Sequence, residues 1–296
     1  MGLIFYDAKR LWEASLSGVS FERTLMVGHQ QLYLHPSELK ALRRAYQARP
    51  PRPLATPLAN YQFGEYADRF CREFLGATAL ESIDYSAYEG ATIIHDMNKP
   101  IPESLRGRFD ALIEAGSLEH IFNFPVAVEN LMQMVKVGGT VFLTTVANNQ
   151  CGHGFYQFSP ELLYRVFSAE NGFESGPVVF LEATFPGVEQ TPIRRAYTVV
   201  DPISVGCRVG LVSRHPIMMA VEARKIKNVR TFAVAPQQSD YTVAWNGGRA
   251  SSAGKIPKLV RFIMKKLPLY WRRRLHGYYG NWNYSLRNRR FYRKVS

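Results

Sequence analysis

The alternation of apolar and polar positions is clearest between Phe109 and Val146, which reads FDALIEAGSLEHIFNFPVAVENLMQMVKVGGTVFLTTV. Phe109 to Ile113 is a short apolar run after a polar, arginine-rich stretch, the pattern of a buried strand. Pro125 suits the first turn of a helix, and Val128, Leu131, Met132 and Val135 then recur at helical spacing. Gly138 and Gly139 are expected to end that helix, because glycine takes up left-handed backbone cheaply. Thr140 to Val146 is β-branched and apolar and predicts a second buried strand. Strand, helix and strand in so short a span form a parallel crossover unit, which is right-handed in nearly all cases. Ligands in such sheets bind beyond the carboxyl ends of the strands, here Glu114-Ala115-Gly116 and Ala147-Asn148-Asn149.

The same patterning extends over the rest of the chain. Phe5, Ala8, Leu11, Trp12 and Leu16 predict an amphipathic helix closed by Gly18. Phe21 to Val27 reads as a strand ended by Gly28, where a tight turn or close backbone approach is expected. Pro36 opens a helix carrying Leu39, Leu42 and Tyr46, and the proline-rich segment from Arg49 to Pro57 is a loop. Gly64 to Leu75 reads as a further helix. Leu80 to Ile83 and Ala91 to Ile94 read as strands ending at Asp84 and at His95-Asp96. Each places a carboxylate where a ribose or a base amine can be bonded. Ser159 and Pro160 suit the N-cap and first position of a helix with Leu162, Leu163, Val166 and Phe167. Val178 to Leu181 and Ile217 to Val221 read as strands, with Asp201 to Val212 between them as a short helix. Phe185 to Arg195 reads as a loop able to cover the cleft.

Composition narrows the classes. A chain of 296 residues can bury a sizeable core. No apolar run approaches ~18 residues, so no transmembrane helix is expected. Asp7, Lys9, Arg10 and Glu13 interrupt the N-terminal apolar residues, which argues against a signal peptide. Cys71, Cys151 and Cys207 have neither zinc nor redox spacing, and a reducing cytoplasm fits them. The charge is unevenly distributed. Residues 241–296 hold 14 of the 37 Lys and Arg and none of the 24 Asp and Glu, so residues 1–240 are near neutral. The chain is therefore expected to divide into a body, 1–240, and a basic, aromatic-rich extension, 241–296.

The segments SIDYS (82–86), TIIHDMNKPIP (92–102), FDALIEAGSLEHI (109–121) and KVGGTVFLTTVANN (136–149), with MMAVEARKI (218–226), resemble class I S-adenosylmethionine-dependent methyltransferases over roughly residues 21–225. The resemblance implies an α/β fold. Its core is a Rossmann-like, doubly wound, seven-stranded, mostly parallel sheet with helices on both faces and an antiparallel last strand. It implies S-adenosyl-L-methionine as cofactor, with the ribose at Asp84 and the adenine near Asp96 and Met97 or Asn98. Glu114, Ala115 and Gly116 would line the cofactor and substrate cleft. The family's first loop is normally glycine-rich, whereas this one is Gly28-His29-Gln30-Gln31-Leu32. Gly28 and the side-chain amide of Gln30 or Gln31 are expected to serve the amino-acid end instead.

In this family the loop after the fifth strand often binds the acceptor. Here it holds Asn148, Asn149, His153, Tyr156 and Gln157. His153 is the first choice of base, with Glu114 and His120 behind it. Tyr156 and Asn149 are expected to orient the acceptor, with Asn148 and Gln157 also binding it. For His120 alone, a structural role opening the helix connection is the preferred reading.

The extension predicts a helix with Ile256, Leu259, Val260, Ile263 and Leu267 on one stripe, followed by aromatics interleaved with arginines. That pattern suits docking on the body or an anionic membrane surface reached through 255–296. It also suits single-stranded nucleic acid. Nucleic acid ranks lower, because the body lacks a basic cleft. The expected function is methyl transfer to a hydroxyl or amine, with a sugar or lipid-linked glycan intermediate as the leading acceptor. The expected site of action is the cytoplasm, with peripheral contact at the inner face of the membrane. The alternatives are an inactive methyltransferase-like scaffold, favoured by the Gly28–Gln31 loop, and an RNA methyltransferase.

Overall fold

The computed structural model describes residues 2–50, 54–184, 192–248 and 258–295. The chain opens with β1 (Gly2–Ile4) and α1 (Phe5–Leu16), then enters the expected strand β2 (Arg23–Val27). Three elements, β3 (Gln31–Tyr33), α2 (Pro36–Ala48) and α3 (Asp68–Glu73), lead to β4 (Ala79–Asp84) and the short β5 (Ile93–Ile94). The crossover unit follows as β6 (Phe109–Ala115), α4 (Phe124–Met134) and β7 (Val135–Asn148). Next come α5 (Pro160–Val166), β8 (Phe173–Ser175), β9 (Val178–Glu182), β10 (Arg195–Val199), α6 (Pro202–Val205) and β11 (Ile217–Lys225). The C-terminal segment holds α7 (Ser239–Trp245), α8 (Lys258–Lys266), α9 (Leu269–Asn283) and β12 (Tyr292–Lys294).

The main sheet runs in the order β12-β10-β9-β11-β7-β6-β2-β4-β5, with β8 pairing beside β11. From β7 to β5 all neighbours are parallel. β11 lies antiparallel between β7 and β9. The seven strands from β5 to β9 therefore form a doubly wound sheet whose last strand is inserted antiparallel, as expected. Among the described residues the sheet as a whole has ten strands, not seven. β10, β12 and β8 were not legible as strands, since each is short and lacks a sustained alternation.

All seven residues of β6 are buried, as a central parallel strand covered on both faces requires. Ala111, Ile113 and Ala115 face a core built with Trp12, Tyr46, Phe70 and Phe74 of the N-terminal helices. Leu112 faces the opposite core, which holds Leu131, Phe158, Leu163 and Phe167. The aromatics of the first core interlock, with Trp12 stacked on Tyr46 at 5.5 Å and edge-on to Phe74 at 5.6 Å.

Some local expectations change. α4 ends at Met134, before Gly138 and Gly139, and both glycines lie inside β7. Gly138 has φ +87°. A Cβ on Gly139 would sit 2.6 Å from the Asp110 carbonyl oxygen. Gly139 therefore lets β7 pack on β6, beside a break in register, and Gly138 supplies left-handed backbone inside the strand rather than a helix cap. The helix expected over Gly64–Leu75 is confined to Asp68–Glu73, and the one over Asp201–Val212 to Pro202–Val205. Residues 185–191 of the expected covering loop lie outside the described residues, as does Ile256 of the extension's stripe.

The C-terminal segment does not stand apart as a charged appendage. β12 pairs antiparallel with β10. Phe291 and Tyr292, two of the aromatics interleaved with arginines, are 1% exposed. Tyr292 stacks on Phe180 at 5.7 Å, and its hydroxyl donates to the Gly210 carbonyl at 2.6 Å. In α8 Met264 is buried, with Val260 and Leu267 of the expected stripe half-buried on the same face, while Ile263 of that stripe faces outward with Phe262.

Candidate active site

The strand order reverses between β2, which leads outward through β4 to β5, and β6, which leads the other way to β7. Loops leaving two such strands diverge to opposite faces and open a crevice at their carboxyl ends. A cavity of about 380 Å³ lies there, lined by Gly28, Gln30, Asp84, Asp96, Met97, Gly116, Ser117 and His120 among others. That volume falls in the usual range of small-molecule sites, about 300–1,000 Å³.

Gly28 has φ +72°, and a Cβ there would lie 3.1 Å from Ser117 Oγ, 3.4 Å from Gln30 Nε2 and 4.0 Å from Asp84 Oδ2. The loop after β2, the end of β4 and the loop after β6 thus meet around one glycine. Ser117 Oγ donates to the Val27 carbonyl at 2.9 Å and locks the two loops together. Asp84 Oδ1 accepts from the backbone N–H of Tyr85 at 2.5 Å. Asp96 Oδ1 accepts from the backbone and side-chain amides of Asn98 at 3.0 and 2.9 Å. These bonds hold the Asp96 carboxyl below its ordinary range, so it stays an anion.

The loop that lacks the usual glycines takes its own path. It passes into β3, which pairs with β1, and not directly into a helix. The His29 ring stacks on Tyr66 with centroids 3.8 Å apart. Its nitrogens lie 2.6 Å from the Glu89 carbonyl and 2.7 Å from Asp68 Oδ2, so one side chain ties three segments at the cleft wall. Gln30 is buried, and its Nε2 donates to the Val27 carbonyl. Its Oε1 is buried without a hydrogen-bond donor.

Glu114 and Ala115 are buried and do not border the cavity, contrary to expectation. Glu114 Oε1 accepts from the amides of Ser117 and Leu118 and so shapes the loop beneath the cleft. Burial and the neighbouring Glu119 push the Glu114 carboxyl well above its ordinary range. Burial likewise pushes Glu119 up to about 7.

Several residues of the loop after β7 are structural in place of the acceptor-facing roles expected of them. The Tyr156 hydroxyl donates to the Phe122 carbonyl at 2.6 Å, and its ring packs on Phe124 and Phe158. Asn149, with φ +57°, donates to the carbonyls of Ser213 and His215 at 2.6 and 3.1 Å. Gln157 Oε1 accepts from the Gln150 amide at 2.9 Å. Asn148 closes β7 in register with Ile217. None of these residues, nor His153, borders the cavity. His153 stands behind His120, with ring centroids 5.2 Å apart.

His120, read from sequence as structural, lies on the cavity wall. Burial and the adjacent His153 lower its pKa, so its ring is neutral at neutral pH. Ser117 and His29 also escaped the choice of site residues. For Ser117 the available signal was its place directly after Gly116 at the end of a buried strand.

No family model matches the sequence, and no curated protein is similar to it in sequence. Among solved structures, the chain is similar to the 1,6-didemethyltoxoflavin-N1-methyltransferase of Burkholderia thailandensis. The identity is 12%, with 75% of this chain and 78% of that one covered and a TM-score of 0.39. It is also similar to an S-adenosylmethionine-dependent methyltransferase of Thermotoga maritima, at 11% identity, 74% and 89% coverage and a TM-score of 0.38. A third is the N-methyltransferase NodS of Bradyrhizobium japonicum, at 11% identity, 74% and 86% coverage and a TM-score of 0.36. Likeness this low adds nothing to what the strand order already establishes. Among the described residues, no helix is long and apolar enough to cross a membrane.

Proposed function

We propose that this chain is an S-adenosylmethionine-dependent methyltransferase, with the cofactor held between Gly28, Asp84, Asp96 and Ser117. The observation that carries this reading is the convergence of Gly28, Asp84 and Ser117 at the strand-order reversal, around a point that a Cβ would fill. The residues present fit the group. Asp84 offers a carboxylate to a ribose diol, and Asp96 with Asn98 offers polar edges to an adenine. The buried Oε1 of Gln30 offers an acceptor to the ammonium of the amino-acid end.

Bound there, the cofactor supplies an electrophilic methyl group on its sulfonium sulfur. The chain's own part is to hold donor and acceptor in line and to keep water out, which removes much of the entropic barrier. Ser117 and His120, both in the loop after β6, form one wall of the cleft, and we take this as the acceptor side. The acceptor class is a hydroxyl or amine, with a sugar or lipid-linked glycan intermediate first. Exposed Trp271, Tyr278 and Trp282 among the arginines of α9 support contact with an anionic lipid surface. That contact would make the protein peripheral to the cytoplasmic face of a membrane.

One observation favours the second reading, an inactive scaffold. The Gly28 loop enters a strand, so it brings no helix N-terminus to the cleft. Calorimetric titration with S-adenosylmethionine, for the wild type and Asp84→Ala, separates the two. Micromolar binding, on the order of −8 kcal/mol, that the variant loses is the expected result. Folded wild type that takes up nothing at millimolar cofactor would leave the scaffold.

A further inference from the structure

Glu119 lies in the turn after β6 and has no solvent exposure. Its Oε2 accepts from Thr145 Oγ1 at 2.8 Å. Its Oε1 has no hydrogen-bond donor, and His153 Nε2 stands 3.8 Å from it. A buried carboxylate oxygen left in this state costs free energy unless a proton or a cation meets it. His120 is the next residue along the chain. One donor atom each from Glu119, His120 and His153 falls within 4.8 Å of the others.

The two loops that carry these residues are stitched to each other. The amides of Phe155 and Tyr156 donate to the Glu119 carbonyl at 2.7 and 3.3 Å. Gly154, with φ +78°, packs so closely that a Cβ would lie 2.7 Å from that same oxygen. His153 is thereby fixed against Glu119 by backbone contacts that do not involve either side chain.

We propose that Glu119, His120 and His153 form a binding site for a divalent transition-metal ion of the zinc class. Two imidazoles and one carboxylate are the donor set of a three-ligand zinc site with an open fourth position. Imidazole donors favour zinc, cobalt or iron over magnesium and calcium, which take oxygen ligands. Bonds of about 2.0–2.1 Å bring tetrahedral ligand atoms to roughly 3.4 Å from one another. The donor atoms, now within 4.8 Å of one another, would have to draw together to that spacing around an ion. Thr145 is the positioning residue, since its hydroxyl fixes the carboxylate from behind. Because His120 borders the cleft, the site adjoins it. Metal binding stands independently of the methyl-transfer reading. A role for the ion in binding a hydroxyl acceptor rests on that reading.

The test is titration of chelator-stripped, full-length protein with zinc chloride by calorimetry, and with cobalt chloride by visible absorption. The expected result is one equivalent bound, with the d–d bands of four- or five-coordinate cobalt. His153→Ala and Glu119→Gln should each weaken binding on the order of a hundredfold, and Thr145→Val by about tenfold. The His153 side chain is 37% exposed, so its removal keeps the test readable if Glu119→Gln fails to fold. No saturable binding, or binding that His153→Ala leaves unchanged, would overturn the site. Titrating the same zinc-loaded protein with S-adenosylmethionine separates the two proposals. Zinc bound without cofactor binding removes the methyl-transfer reading and leaves the metal site.

Discussion

The hydroxyl of Ser117 donates to the carbonyl of Val27 at 2.9 Å, joining the two loops that flank the reversal of strand order. These residues lie 90 positions apart in the chain. The bond sets the width of the cleft just where Gly28 turns through left-handed backbone.

Gly28→Ala tests that turn. A Cβ at φ +72° would also press on Ser117 Oγ at 3.1 Å. The left-handed conformation alone costs a non-glycine residue about 1–2 kcal/mol. Urea unfolding should show a loss of that size with the fold retained. Affinity for S-adenosylmethionine should fall more than tenfold in calorimetry, and unchanged affinity would remove this loop from the cofactor site.

Lys225 gives a pH dependence whose sign can be worked out. Its buried ammonium donates to the carbonyls of Met132 and Val135 at 2.9 and 3.0 Å. Burial lowers its pKa from 10.5. Between the lowered value and 10.5 the folded chain binds fewer protons at this group than the unfolded chain does, so stability rises with pH there. Lys225→Met abolishes the contribution. Unfolding free energies measured from neutral pH to the folded state's alkaline limit should show the wild type gaining on the variant as pH rises. Parallel curves would contradict the assignment.

Tyr292 tests whether the C-terminal strand belongs to the fold. It is 1% exposed and stacked on Phe180. Truncating a large buried aromatic costs about 3–5 kcal/mol. Tyr292→Ala should therefore lower the unfolding free energy by that amount in denaturant titration. A loss below about 1 kcal/mol, the level of ordinary surface substitutions, would mean that β12 is dispensable.

The membrane proposal needs substitutions and not a truncation, because removing residues 255–296 would also remove β12. Trp271 and Trp282 are 53% and 49% exposed. The double variant Trp271→Ala/Trp282→Ala should keep the wild-type melting temperature. It should lose at least about tenfold in binding to phosphatidylserine-containing vesicles, since interfacial affinity follows buried apolar area. Equal vesicle binding would leave α9 without a lipid role.

Much of the fold was legible. The strands from Phe21, Leu80, Phe109, Thr140, Val178 and Ile217 announce themselves by apolar runs, because a strand covered on both faces has no polar side. Their ends placed Gly28, Asp84, Asp96 and Gly116 at the cleft. The acceptor side was read less well. His153, the first choice of base, stands outside the cavity, because Gly154 lets its loop lie on the Glu119 carbonyl. Tyr156 and Asn149 carry the groups that a binding residue needs, but carbonyls of Phe122, Ser213 and His215 occupy them. No local pattern announces a bond between loops.

Sequence alone determined the crossover unit, the carboxylates at the ends of β4 and β5 and the neutral body. Each depends on neighbours within one element, and periodicity and turn chemistry report on those. Tertiary structure decided that Ser117 and His120 face the cleft, that Glu114 lies beneath it and that β12 completes the sheet. These outcomes depend on contacts between distant segments. Their free energy comes from burial and hydrogen bonding across the sheet, which no stretch of the chain encodes by itself.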